Sequence, residues 1–134
     1  MKFKFYEYEK CSTCVNARKW MDANGIDYER IAIRKCPPQK EELEQLLYHH
    51  GGNVKKLFNT SGLDYRNMKI KDSLPYLTEE KALGLLHANG NLIKRPVLIG
   101  KEVVLQGFKP DVWEKVFGLN KYFHSQFSYV IVWK

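Results

Sequence analysis

The 134-residue chain has no apolar run approaching the roughly 20 residues that a membrane-spanning helix needs. Its first residues, Met1-Lys2-Phe3-Lys4-Phe5, form neither an apolar signal core nor a small-residue cleavage site. The sequence therefore predicts a cytoplasmic protein with no membrane association. Cysteine is scarce: Cys11, Cys14 and Cys36 are the only three. That is too few for the disulfide framework of a small secreted domain. There is no second CxxC, and adjacent His49 and His50 would point to different sides of a helix. A zinc site needs more ligands at closer spacing, so no metal is expected. Repeats, low-complexity stretches and flexible linkers are also missing, which predicts one domain. No basic stripe and no helix-turn-helix pattern accompanies the net charge of +7, which argues against direct nucleic-acid binding. The lysines and arginines are scattered along the chain and read as a solvated surface. Such an excess can still attract an oxyanion or an acidic partner.

What is present centres on Cys11-Ser12-Thr13-Cys14. Before it, residues 2–8 alternate, with Phe3, Phe5 and Glu7 on one side and Lys4, Tyr6 and Tyr8 on the other. That period predicts a strand. After it, Val15, Ala17, Trp20, Met21 and Ala23 supply the apolar positions of a helix that Asn24-Gly25 ends. Ser12 or Thr13 is expected to cap that helix. A cysteine at a helix N-terminus feels a partial positive charge that favours the thiolate. Cys14, three residues on, is near enough to resolve a mixed disulfide formed at Cys11.

A second strand is predicted over 26–33, completing a β-α-β unit with parallel strands. Pro37-Pro38 punctuates. A helix follows over about 39–50, with Leu43, Leu46 and Leu47 on one face and Gly51-Gly52 at its end. Val54, Leu57 and Phe58 suit a short helical turn, and Asn59-Thr60-Ser61-Gly62 is loop chemistry. Thr78-Glu79-Glu80 opens another helix, which buries Leu83, Leu85 and Leu86 and closes at Asn89-Gly90. Val97-Leu98-Ile99 and the valine-rich 102–105 form a hairpin whose turn is expected at Gly100-Lys101. Pro110 starts a last helix carrying Val112, Trp113, Val116 and Phe117, and Gly118 stops it. Beyond lies an aromatic extension, 119–134, whose segment 129–133 suits a strand or a hydrophobic arm. The element order is that of an α/β, thioredoxin-like fold: β-α-β, then β-hairpin and helix. Residues 1–118 are read as a single domain with a helical insertion at about 39–90.

In such a fold a cis proline stands beside the CxxC and exposes backbone to a substrate. Pro96 is the candidate, and Arg95 before it would lie near Cys11, able to stabilise a thiolate or bind an oxyanion. Arg66 and Lys94 are further cations of interest.

The strand-CSTC-helix start, Pro37-Pro38 before an acidic helix, 57–62, 92–96 and Gln106-Gly107-Phe108 occur together and in order. This set resembles the glutaredoxin-linked arsenate reductase-like family, which also contains the Spx-type regulators. The likeness is greatest to a branch carrying the FNTSG segment, and it extends to about Gly118. It implies the thioredoxin-like fold and a catalytic Cys11. It also implies glutathione, glutaredoxin or thioredoxin as thiol donor, with no bound cofactor. Three arginines hold the oxyanion in the family's arsenate reductases. Arg95 matches one; Asn59 stands at or near another; around 107–109, where the third falls, Lys109 is the only cation. Each lost charge-assisted contact should weaken oxyanion binding by about 1.5–3 kcal/mol.

The expected site is therefore Cys11, Cys14 and Arg95 for chemistry, with Ser12, Thr13, Asn59, Thr60, Pro96 and Lys109 for substrate. The expected activity is thiol-disulfide exchange on arsenate, a glutathione mixed disulfide or a protein disulfide. The rival expectation is a non-enzymatic Spx-type redox regulator that binds RNA polymerase, since a sensor needs the same accessible thiol.

Overall fold

Residues 2–118 are described by the computed structural model; the aromatic extension lies outside them. β1 (Phe3–Glu7) runs parallel to β2 (Tyr28–Ala32), and helix α1 (Ser12–Ala23) crosses between them. β3 (Val97–Gly100) pairs antiparallel with the other edge of β1, and β4 (Val103–Gln106) completes a sheet of order β2-β1-β3-β4. This is the thioredoxin-like arrangement expected, with β1 central and the cysteine loop springing from its C-terminal end.

The alternation of β1 sends its aromatics to both faces. Phe3 and Phe5 pack with Ala17 and Met21 of α1 and with Trp113 and Phe117 at the C-terminal helix α6 (Pro110–Val116). Tyr6 packs on the other face, where Val97 and Ile99 of β3 meet the inserted helices α2 (Lys40–His49) and α5 (Glu79–Ala88). Between α2 and α5 the chain forms a 3-10 turn (Val54–Leu57), α3 (Leu63–Asn67), α4 (Ile70–Ser73) and a second 3-10 turn (Leu74–Tyr76). A third 3-10 turn (Gly90–Leu92) leads toward β3.

Several local expectations are corrected. Cys11 itself occupies the N-cap of α1 in extended backbone, and no side chain caps that end. Ser12 and Thr13 are already within the helix, so neither can take the capping role expected of them. α2 instead carries a capping box, Gln39 with Glu42, unnoticed in the sequence. The hairpin turn is Lys101-Glu102, with Gly100 opposite Val103 in the ladder. Both turn residues have positive φ, 48° and 67°, as the two-residue turn that matches strand twist requires. In α5, Ala82 shares the buried face with Leu83 and Leu86, and Leu85 is only partly covered.

Candidate active site

At the end of β1, Glu7 is a carboxylate residue only 4% exposed. Arg18 of α1 donates to one carboxylate oxygen and Arg30 of β2 to the other, the latter at 2.8 Å. A buried carboxylate needs such partners, and this one fixes the strand end from which the cysteine loop departs. The chain then turns: the Cys11 N–H donates to the Tyr8 carbonyl at 3.0 Å, and the Cys11 carbonyl accepts from the Val15 amide at 3.0 Å. Cys11 is thereby held half-buried at the mouth of α1, while Cys14 is fully buried one turn below.

The two thiols are electrostatically unlike. Partial burial works to raise the Cys11 pKa. The Cys14 amide, the Cys14 thiol, the Arg95 guanidinium and the Thr13 amide hydrogen-bond its sulfur and outweigh that, so the net direction is downward. Charge-assisted and helix-N-terminal donors stabilise a thiolate in this way. Cys14 is pushed up to about 12, chiefly by burial. The Tyr8 amide opposes that shift, but the bond to Cys11 and the charges of Cys11 and Glu7 add to it. The pair is an accessible nucleophile beside a protonated donor.

A cavity of about 320 Å³ opens at Cys11. Thr13, Asn59, Lys94, Arg95 and Lys109 line it, together with the segment Gln106-Gly107-Phe108. Arg95 precedes a cis peptide bond to Pro96. Beside the Cys11 sulfur, Arg95 also meets the Tyr8 ring, with its guanidinium carbon 5.0 Å from the ring centroid. Arg34 approaches the same ring at 4.7 Å. Three hydrogen bonds tie the wall together. Gln106 donates to the Lys94 carbonyl at 2.7 Å and to the Leu57 carbonyl at 3.2 Å, and the Gly107 amide donates to the Pro96 carbonyl at 2.8 Å.

Thus Cys11, Thr13, Asn59, Arg95 and Lys109 share one cavity, and Cys14 and Pro96, each a chain neighbour of that lining, are buried. Ser12 does not: it is exposed, and the amides that reach the sulfur belong to Thr13 and Cys14. Thr60 lines the neighbouring cavity with Ser61. Tyr8, Glu7 and Gln106 escaped notice as site residues. An aromatic and a carboxylate in an alternating strand carry no spacing signal, and Gln106 was visible only within the family resemblance. Cys36 is exposed in the turn after β2. Among the described residues, no group of His, Cys, Asp and Glu is arranged to hold a metal ion, and no helix is long and apolar enough to cross a membrane. A cavity of about 930 Å³ between α2 and α5 contains none of these residues, and Glu41, Glu44, Glu79 and Glu80 are among those lining it.

Residues 6–116 match the ArsC family. The chain belongs to that family. It is 44% identical over 115 residues to the uncharacterised protein YusI of Bacillus subtilis, spanning 86% of this chain and 98% of YusI. An ArsC family related protein from Bacteroides fragilis superimposes with a TM-score of 0.79 at 45% identity, over 86% of this chain and 97% of that one. A protein from Streptococcus mutans, described as a possible arsenate reductase, gives 0.74 at 42% identity over 80% and 91%. Regulators share the family as well: the B. subtilis regulatory protein MgsR is 24% identical over 79% of this chain and 82% of its own length. The arsenate-reductase-like fold is therefore common to enzymes and regulators, and the chemistry must be argued from the site.

Proposed function

We propose that this ArsC-family protein is a thiol-disulfide oxidoreductase. The observation that carries the reading is the contrast between the two thiols: Cys11 half-exposed with a lowered pKa, Cys14 buried with a raised one. The Cys11 thiolate attacks one sulfur of a substrate disulfide, and the other sulfur leaves as a thiol after taking up a proton. The mixed disulfide no longer carries charge at Cys11, which removes one of the causes that keep Cys14 protonated. Cys14 then loses its proton and attacks the Cys11 sulfur. The Cys11–Cys14 disulfide forms, and the second substrate thiol is released. Two equivalents of glutathione, or one of a glutaredoxin-type dithiol, return the pair to the reduced state. Arg95 stabilises the attacking thiolate and any anionic group beside it.

Arsenate is the weaker substrate in this reading. Its binding would rest on Arg95 with Lys109, Lys94 and neutral Asn59, in place of an arginine set. The test is steady-state turnover of a glutathione mixed disulfide and of arsenate, each with glutathione and glutaredoxin. Turnover of the disulfide that Cys11→Ser abolishes is expected, with arsenate slower; no turnover of either ends the reading.

The likeness to MgsR favours a second reading, a redox-sensing regulator that engages RNA polymerase. Capture of RNA polymerase only by the oxidised protein, without catalytic turnover, would select it.

A further inference from the structure

Lysines and arginines that are scattered in the sequence gather around the cysteine. The Cys11 cavity shares Asn59 and Lys94 with a second cavity of about 410 Å³, where Lys55 and Lys56 join Asn53 and Ser61. That cavity shares Thr60 and Ser61 with a third of about 280 Å³, bordered by Arg66, Lys69 and Lys71. Asp72 is the one carboxylate residue among those lining the three cavities. Lys94 lies at the junction of the first two, with the end of its side chain against Gly107. A β-carbon on Gly107 would stand 3.2 Å from its Cε and 3.7 Å from its Nζ. Between the cations, Asn59, Thr60 and Ser61 offer neutral donors along the floor.

The geometry points to a binding track for an acidic peptide that leads to Cys11. This deepens the oxidoreductase reading and rests on it: the substrate sulfur meets Cys11, and Asp or Glu residues flanking it in the peptide lie along Lys94, Lys55, Lys56 and then Lys69. A small oxyanion needs no more than the first cavity, and the two beyond it add contacts that a longer chain can make. Proteins that hold single-stranded nucleic acid combine positive charge with open aromatic platforms for the bases. Here the aromatics are engaged: Phe58 is buried against Tyr65, and Phe108 packs on Trp113. The track offers charge and hydrogen bonds without stacking, which suits carboxylates on an extended backbone.

The experiment uses peptides of one length carrying a thionitrobenzoate mixed disulfide, flanked by acidic, neutral or basic residues. Exchange with the wild-type protein gives kcat/KM, and anisotropy with the Cys11→Ser protein gives binding without chemistry. At low salt the acidic peptide should exceed the neutral one by about 10-fold or more, with the advantage fading as salt rises. The triple variant Lys55→Gln, Lys56→Gln, Lys69→Gln should cut that preference to about 3-fold or less. Its reaction with a small neutral disulfide should be unchanged. An acidic preference that survives in the triple variant overturns the track. So does single-stranded DNA that displaces the peptide at equal charge, which would mark a general polyanion surface. Exchange on all peptides with no acidic preference sinks the track and leaves the oxidoreductase reading standing. Binding that needs the lysines, without exchange on any peptide, sinks the oxidoreductase reading and leaves the track.

Discussion

Arg95 serves two partners, the Cys11 sulfur and the Tyr8 ring. A cation over an aromatic face gains about 0.5–2 kcal/mol, most when partly desolvated, enough to hold a long side chain in one place. Tyr8 is itself anchored, since its carbonyl accepts from the Cys11 amide. Tyr8 thus acts as a positioning residue. Arg95→Ala should move the pH profile of iodoacetamide labelling at Cys11 upward. The sign follows from the lowered pKa: labelling persists to lower pH than at an ordinary thiol and fades as pH falls through the folded value. Stability linked to Cys11 follows the same sense, complete above the unfolded thiol's pKa and lost as pH falls through the folded one. Tyr8→Leu should move the profile in the same direction and Tyr8→Phe should restore it. A profile indifferent to Arg95→Ala and Tyr8→Leu would remove Arg95 and Tyr8 from control of the thiol. Glu7 presents a different case, because its burial is supported by Arg18 and Arg30. Breaking a buried ion pair from one side costs about 3–5 kcal/mol, though Arg30 is half-exposed and regains water. Glu7→Ala should therefore fall near the lower end in urea unfolding, and Glu7→Gln should cost less. A loss under about 1 kcal/mol would mean that the pair is screened as surface pairs are.

At the scale of elements, the junction between the inserted helices and the sheet depends on a close approach. A β-carbon on Gly90 would stand 1.8 Å from the Ile33 carbonyl oxygen, so the 3-10 turn Gly90–Leu92 can rest on the end of β2 only without a side chain there. Leu92 and Ile93, both fully buried, follow at once. Gly90→Ala should then cost at least the 1–3 kcal/mol typical of overpacking, measured by thermal unfolding, and disturb Lys94 and Arg95 a few residues on. A variant as stable as the parent would show that the turn can lift freely. This contact was invisible in the sequence, where Asn89-Gly90 reads simply as a helix stop. The longer elements were legible because each repeats its apolar period over two turns or several strand residues: α1, α2, α5, the β-α-β unit and the hairpin. Residues 62–77 were not, since α3 and α4 are too short to show a period and their anchors, Tyr65 and Ile70, stand alone among polar neighbours. The hairpin turn slipped by one residue because Gly100 advertises itself while Lys101 and Glu102, which carry the turn's positive φ, do not. The site was legible where chemistry has a spacing, in Cys11, Cys14 and Arg95-Pro96. It was illegible where the fold alone brings groups together, as with Tyr8, Gln106 and the lysines around Asn59.

Over the whole molecule, the sheet separates two apolar clusters. Trp20 and Trp113 belong to the side of α1 and α6; Leu46 and Leu86 belong to the side of the inserted helices. Charge is divided as well, with glutamates around the cavity between α2 and α5 and cations along the track from Cys11. β1 and β3 contribute to both clusters, Phe5 and Leu98 to one and Tyr6 and Val97 to the other. Neither side can lose its packing without exposing the back of the strands that the other side covers. The insertion should therefore melt with the sheet in one transition. Leu46→Ala and Met21→Ala each remove a fully buried side chain on opposite faces and should each cost about 2–5 kcal/mol. Together they should add to within about 0.5 kcal/mol, since they share no contact in either cluster. In a Trp133→Phe background, tryptophan fluorescence reports on Trp20 and Trp113 of the α1 side, and far-ultraviolet dichroism on all the helices. In Leu46→Ala the two signals should still coincide along a urea titration. Dichroism that falls at lower urea than fluorescence would show the inserted helices unfolding on their own, and residues 2–118 would then be two cooperative units sharing a sheet.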